Sequence, residues 1–207
     1  MINKNYYFFI FDLDGVIFDS KKNMNYSWNL TKKKFNLKPD FNQYFKFLGL
    51  PFDEILLKLK IKPNKKIKNF YFNQSQKNIN KVKLYSGVKK FLNILRVRKI
   101  KFSIVTSKNY MRSKNLLSKF NINPSSLHCP RKNIKGKPYP DQLLLAIKKN
   151  KFMNKKNYVC FVGDTKIDYS AAVAANIDFI FASYGYGKLK KKVKKISKFG
   201  DLKNFLM

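Results

Sequence analysis

Histidine, cysteine, arginine and acidic residues are all scarce in this 207-residue chain, and each shortage removes a class of mechanism. His128 is the only histidine, so a Ser-His-Asp or Cys-His mechanism would rest on it alone, and an ordinary loop histidine is the expected reading. Two cysteines, Cys129 and Cys160, are too few for a disulfide framework and lack metal-ligand spacing, which fits a reducing, cytoplasmic setting. No apolar run approaches the roughly 20 residues that span a bilayer, and the N-terminus passes into a strand-like run without a small-residue cleavage site. The expectation is a soluble protein that is not exported and has no membrane partner.

Acidic residues number eleven against 45 Lys and Arg, for a formal net charge of +34. Such a charge raises nucleic acid as a partner, because clustered Lys and Arg release counterions from phosphates. Only Arg96, Arg98, Arg112 and Arg131 are arginines, however, and arginine is preferred where planar phosphate recognition matters. The lysines run along the whole chain, and the abundance of Lys, Asn, Ile, Phe and Tyr beside scarce Ala is the bias of A+T-rich codons. No specific nucleic-acid partner is expected.

The chain is long enough to bury a full core as one domain or one domain with an insert. Short apolar runs alternate with helical patterns, the signature of a parallel sheet flanked by helices. The strand candidates are 6–11, 101–106, a weak run at 126–129, 158–162 and 178–182, most of them apolar throughout, as strands covered on both faces are. Helical spacing follows Gly87, where Val88, Phe91, Leu92 and Leu95 share a face, and recurs at Met111, Leu116, Leu117 and Phe120. It is also expected in PDQLLLAIKK, in DYSAAVAAN and over 188–198, where Leu189, Val193 and Ile196 are helically spaced. The stretch 21–83 shows several helical patterns and no convincing buried strand, and reads as a helical subdomain inserted after the first strand.

Against this basic background stands FDLDGVIFD, residues 11–19, where Asp12, Asp14 and Asp19 fall within eight positions directly behind an apolar run. In open parallel sheets, ligands bind at the carboxyl ends of the strands. Asp12 and Asp14 follow the first strand, Thr106 and Ser107 the second, Lys137 the weak third, and Asp164 and Asp168 the fourth. Carboxylates gathered in one crevice repel, and a hard divalent cation such as Mg²⁺ resolves the conflict with oxygen ligands. A hydroxyl at Thr106 and an ammonium at Lys137 are donors of the kind phosphoryl transfer needs.

FDLDGV, a strand ending in Thr106, Lys137 within KPYPD, and GDTKID, in that order, resemble the four motifs of the haloacid dehalogenase superfamily, over roughly 7–20 and 84–187. The resemblance implies an α/β Rossmann-like core at 1–20 and 84–207, with an all-helical cap at 21–83 that closes over the site. It implies a Mg²⁺-dependent phosphatase in which Asp12 attacks phosphorus and Asp14 serves as acid and then base. Thr106, the Ser107 amide and Lys137 would hold the phosphoryl group. Asp164 would bind the metal with the Asp12 carboxylate and the Asp14 backbone carbonyl, and Asp168 would act at one remove. Asp19 belongs to the motif's flank, as a helix cap or hinge residue.

Dehalogenase members lack the second aspartate, so Asp14 favours phosphate chemistry. Sugar-phosphate mutases of the superfamily carry a histidine five residues past the position of Asp19, where this chain has Met24. What remains resembles the phosphoglycolate and sugar-phosphate phosphatase branch, acting on a small phosphorylated metabolite as monomer or homodimer. A phosphomutase and a non-catalytic nucleic-acid-binding protein are the alternatives. Adhesion to nucleic acid is expected to be weak and to vanish with added salt; mobility shifts showing sequence preference at physiological salt would reverse that reading.

Overall fold

The computed structural model describes residues 5–206. The chain enters through β1 (Phe8–Phe11), a four-residue strand whose side chains are all buried. Alternation sends Phe9 and Phe11 into one hydrophobic cluster and Phe8 and Ile10 into another, on the opposite face of the sheet. After β1 a tight turn leads into the short β2 (Phe18–Asp19).

Four helices follow: α1 (Lys21–Phe35), α2 (Phe41–Phe45), α3 (Phe52–Lys58) and α4 (Lys65–Lys77). Their boundaries are written locally. Asn36 adopts a left-handed conformation that ends α1, Asp40 and Gln43 form a reciprocal capping box on α2, and the Asn64 side chain accepts from the Lys66 amide at the start of α4. The helices share a third hydrophobic cluster of their own, with Met24, Trp28, Tyr44, Phe52 and Tyr71 buried. Buried Asn23 ties α1 to α4, donating to the Ser75 and Asn78 carbonyls at 2.9 and 2.7 Å and accepting from the Ser75 hydroxyl at 2.7 Å.

The return passes through β3 (Lys83–Leu84), antiparallel to β2. Then come α5 (Val88–Val97), β4 (Lys101–Val105), α6 (Tyr110–Lys119), β5 (Ser126–His128), α7 (Asp141–Lys149), β6 (Val159–Gly163), α8 (Lys166–Ala175), β7 (Asp178–Ala182) and β8 (Lys194–Ile196). Six strands form one sheet in the order β5-β4-β1-β6-β7-β8, every neighbouring pair parallel. The order reverses at β1, which puts the crevice of a Rossmann-like sheet at its carboxyl end. α5 and α6 bury Phe91, Leu95, Leu116 and Leu117 on one face; α7 and α8 bury Leu143, Ile147, Ala171 and Ala172 on the other.

Four local expectations are corrected. Residues 188–198 are not a helix: they run extended into β8, because the free edge of β7 offers a backbone ladder to this segment, with the Ser183 amide donating to the Ile196 carbonyl at 3.0 Å. The two-residue strands β2 and β3 had no periodicity to betray them. Met111 points to solvent at 59% exposure, while Leu116 and Leu117 carry the buried face of α6. His128 closes β5 and is buried, sharing a 2.9 Å hydrogen bond with the Ser126 hydroxyl.

Phe91 is a keystone of the first cluster, meeting Phe9 and Phe199 edge-on at centroid distances of 5.6 Å each. Phe91→Ala is expected to cost about 3–5 kcal/mol, read as a lower urea midpoint at unchanged slope. A loss under about 1 kcal/mol would show that the cluster closes over the gap.

Candidate active site

Asp12 follows β1 while its amide still donates to the Val162 carbonyl of β6 at 2.9 Å, so the side chain is fixed by the sheet. The chain then reverses, with the Gly15 amide donating to the Phe18 carbonyl at 2.8 Å. Gly15 has φ +90°, and a Cβ there would stand 2.2 Å from Asp164 Oδ2, so only glycine fits this approach. Gly185 approaches the same aspartate from the other side, where a Cβ would lie 2.3 Å from its Cβ.

Asp164 and Asp168 come from the β6-to-α8 turn. The Thr165 amide donates to Asp168 Oδ2 at 3.0 Å and the Asp168 amide to the Thr165 hydroxyl at 3.2 Å, the capping box that starts α8, and the hydroxyl itself donates to Asp168 Oδ2 at 2.6 Å. Asp168 Oδ1 accepts from Lys137 Nζ at 2.5 Å, and the same ammonium donates to Asp12 Oδ1 at 2.7 Å. Asp164 Oδ2 accepts from the Tyr186 amide at 2.7 Å, whereas its Oδ1 is buried with no partner.

The electrostatics follow from burial. Desolvation pushes Asp12 up to about 7 although Lys137 pulls the other way, and it raises Asp164 well above the carboxylate range, reinforced by Asp168 and Asp12. Burial works against the Lys137 charge, but Asp12 and Asp168 outweigh it and raise its pKa. Ligand oxygens of Asp12, Asp164 and Asp168 lie within 4.8 Å of one another. Lys137 pairs with two of these three buried carboxylates, and the third, Asp164, keeps one oxygen orphaned. That all-oxygen donor set fits a hard divalent cation.

Asp14 stands apart from this triad. Its Oδ1 accepts from the Ser20 hydroxyl, and its Oδ2 lies 2.9 Å from the buried Lys108 ammonium. Both side-chain oxygens of Asp14 are thus engaged away from the three clustered carboxylates. Thr106, at the end of β4, donates its amide to the His128 carbonyl at 3.0 Å. The Ser107 hydroxyl donates to the Gly49 carbonyl, in the loop between α2 and α3. Asp19 accepts from the Lys21 amide at 3.1 Å and from the Tyr186 hydroxyl at 3.3 Å, at the entry to α1.

Asp12, Asp14, Thr106, Ser107 and Lys137 open together on a cavity of about 60 Å³ between the sheet's carboxyl edge and helices α1 to α4; Asp164 and Asp168 lie behind it. Its far wall is aromatic, with Phe52 and the Tyr44 and Tyr71 hydroxyls 3.0 Å apart. Three further residues join them that sequence reasoning missed: Lys108, Arg112 and Tyr186. Lys108 adjoins the Thr106-Ser107 pair, which was its available signal. Nothing in the pattern of α6 marked Arg112, and Tyr186 was visible only as the aromatic between two glycines of YGYG.

The chain as a whole is similar to several known proteins. The phosphoglycolate phosphatase of Haemophilus influenzae is 27% identical over 199 residues, 85% of each chain. Among solved structures, CbbY from Rhodobacter sphaeroides in complex with phosphate superposes with a TM-score of 0.83 at 15% identity, over 95% of this chain and 96% of that one. A predicted phosphoglycolate phosphatase from Haemophilus somnus gives 0.81 at 22% identity, over 95% and 96%. Residues 9–182 match the haloacid dehalogenase-like hydrolase family from the strand before Asp12 to the end of β7, and the chain belongs to that family.

Proposed function

We propose that the protein is a Mg²⁺-dependent phosphatase that hydrolyses a small phosphate monoester through an aspartyl-phosphate at Asp12. The observation that carries this reading is the Asp12 carboxylate. It is held at 2.7 Å by a buried lysine, beside two further buried carboxylates, at the floor of a cavity edged by Thr106 and Ser107. The 27% identity to a phosphoglycolate phosphatase supports the substrate class.

Asp12 attacks phosphorus with one carboxylate oxygen as the bond to the leaving oxygen breaks, and Asp14 gives that oxygen its proton. Asp14 then takes a proton from the water that attacks the acyl phosphate, releasing inorganic phosphate and restoring Asp12. Thr106 and the Ser107 amide donate to the phosphoryl oxygens, since the Ser107 hydroxyl is already given to Gly49. Lys137 balances charge on the nucleophile and the phosphoryl group. Asp12, Asp164 and the Asp14 carbonyl would hold the Mg²⁺ ion, which neutralises phosphoryl charge when bound. Asp168, with both oxygens engaged, keeps Lys137 in place. Helices α1 to α4 act as a cap that excludes water.

Phosphate release from p-nitrophenyl phosphate is expected only with Mg²⁺ present, and Asp12→Asn is expected to lower kcat by at least about 1,000-fold. Undiminished turnover in that variant would falsify the covalent mechanism.

The raised pKa of Asp12 sets a pH dependence. Below its ordinary value of 3.8 the group is protonated in both folded and unfolded chains and costs nothing. As pH rises towards about 7, the unfolded chain releases its proton first, so the metal-free fold loses stability across that window. A divalent cation offsets the loss only where the carboxylates are ionised. Mg²⁺ is therefore expected to raise the melting temperature more at pH 8 than at pH 5; an equal rise at both would contradict Asp12 and Asp164 as its ligands.

A further inference from the structure

The cavity holds two cations that the chemistry at Asp12 leaves unused. Lys108 gives one of its three N–H bonds to Asp14, at 2.9 Å. Arg112, the third residue of α6, gives one N–H to the Ser75 hydroxyl at 2.7 Å and stacks with its guanidinium carbon 4.6 Å from the Phe72 ring centre. Among the described residues no carboxylate lies within ion-pair distance of Arg112. This end of the cavity therefore sets two cations against the single carboxylate of Asp14, while at the other end Asp12, with Asp164 and Asp168 behind it, sets three carboxylates against Lys137. Its neighbours are the Ser75 hydroxyl, the Phe72 ring and the Tyr71 side chain, all uncharged, so this half-buried guanidinium with its five N–H donors keeps both its charge and part of its fork for an anion.

Position fixes which part of a substrate that anion would belong to. Lys108 touches Asp14, the residue that meets the leaving oxygen under the phosphatase reading, on which this inference rests. An anion bound by Lys108 and Arg112 is thus on the leaving group, a few bonds from the scissile oxygen. Tyr44, Phe52 and Tyr71 stand across the cavity from Asp14, an enclosure that favours a short carbon body.

We infer that Lys108 and Arg112 form a seat for a second anionic group, so that the enzyme selects short phosphomonoesters carrying a carboxylate or a second phosphate over neutral ones of equal size. Arg112 offers the forked donors that match either anion, and the stacking on Phe72 limits its rotamers before the ligand arrives. Lys108 completes the seat from the side of Asp14. The aromatic wall of Tyr44, Phe52 and Tyr71 leaves the carbon body no further charged contact.

Three esters test the seat: phosphoglycolate, ethyl phosphate and ethylene glycol bisphosphate. Because Lys108→Met would also strip Asp14 of its partner, Arg112→Gln and Arg112→Lys carry the experiment. The wild type is expected to favour at least one doubly anionic ester over ethyl phosphate by about 10- to 100-fold in kcat/KM, the range of a charge-assisted hydrogen bond or two. Arg112→Gln should cut that preference by at least about tenfold, through KM, and Arg112→Lys should keep part of it. Preference for the glycolate identifies a carboxylate as the second anion, and preference for the bisphosphate identifies a phosphate. No preference in the wild type overturns the inference, as does a parallel loss for all three esters in the variants, which is what a purely structural Arg112 would give. Calorimetric binding of the same esters to Asp12→Asn, with and without Arg112→Gln, separates the two proposals. Selective binding that depends on Arg112, without turnover in the wild type, supports the seat and rejects the phosphatase; unselective binding rejects the seat whatever the turnover.

Discussion

One buried ammonium organises the carboxyl edge of the sheet. Lys137 is 1% exposed and donates to Asp12 and Asp168, so it joins the end of β1, the first turn of α8 and the approach to α7 at a single point. None of the three charges is tolerable there without the others, because an ion stripped of water and left unpaired costs several kcal/mol. The geometry around it is correspondingly tight. Asp168 has no free oxygen, Gly15 and Gly185 press against Asp164 from two sides, and the sheet fixes Asp12 through its own ladder.

The arrangement also separates charge along the cavity. Carboxylates outnumber cations around Lys137, at the cavity floor and behind it, and cations outnumber carboxylates at the Arg112 end, under an aromatic roof. A chain with eleven acidic residues has placed three of them, Asp12, Asp164 and Asp168, at almost full burial in one cluster. Most of the remaining charge is positive. The protein thus pairs a cationic exterior, of the sign that steers anions from a distance, with a buried all-oxygen donor set of the kind hard cations use.

Much of the core was legible in the sequence for a simple reason. Strands covered on both faces read as unbroken apolar runs, and the polar residues that end them stand out against those runs. Asp12, Thr106 and Asp164 were visible in this way. Lys137 was harder, one lysine among many, and only its KPYPD setting distinguished it. Arg112 and Tyr186 were not legible, since their place depends on how α6 and the chain after β7 meet α1 to α4, and no local spacing encodes that. The segment 188–198 misled because Leu189, Val193 and Ile196 satisfy a helical spacing and a sheet edge equally well. The open side of β7 decided between them, a tertiary fact that overrides propensity.

The short ribbon of β2 and β3 has a consequence of a different kind. The chain leaves the core through Phe18 and Asp19 and re-enters through Lys83 and Leu84, hydrogen-bonded side by side, with the Tyr85 amide donating to the Ile17 carbonyl at 3.1 Å. Departure and return are therefore about 5 Å apart, the spacing of neighbouring strands. To the parallel sheet, everything between them is a closed excursion whose length and composition alter none of its ladders. The four helices are a cassette: their aromatic wall can be recast by mutation while the strands that aim Asp12 and Asp164 stay in register.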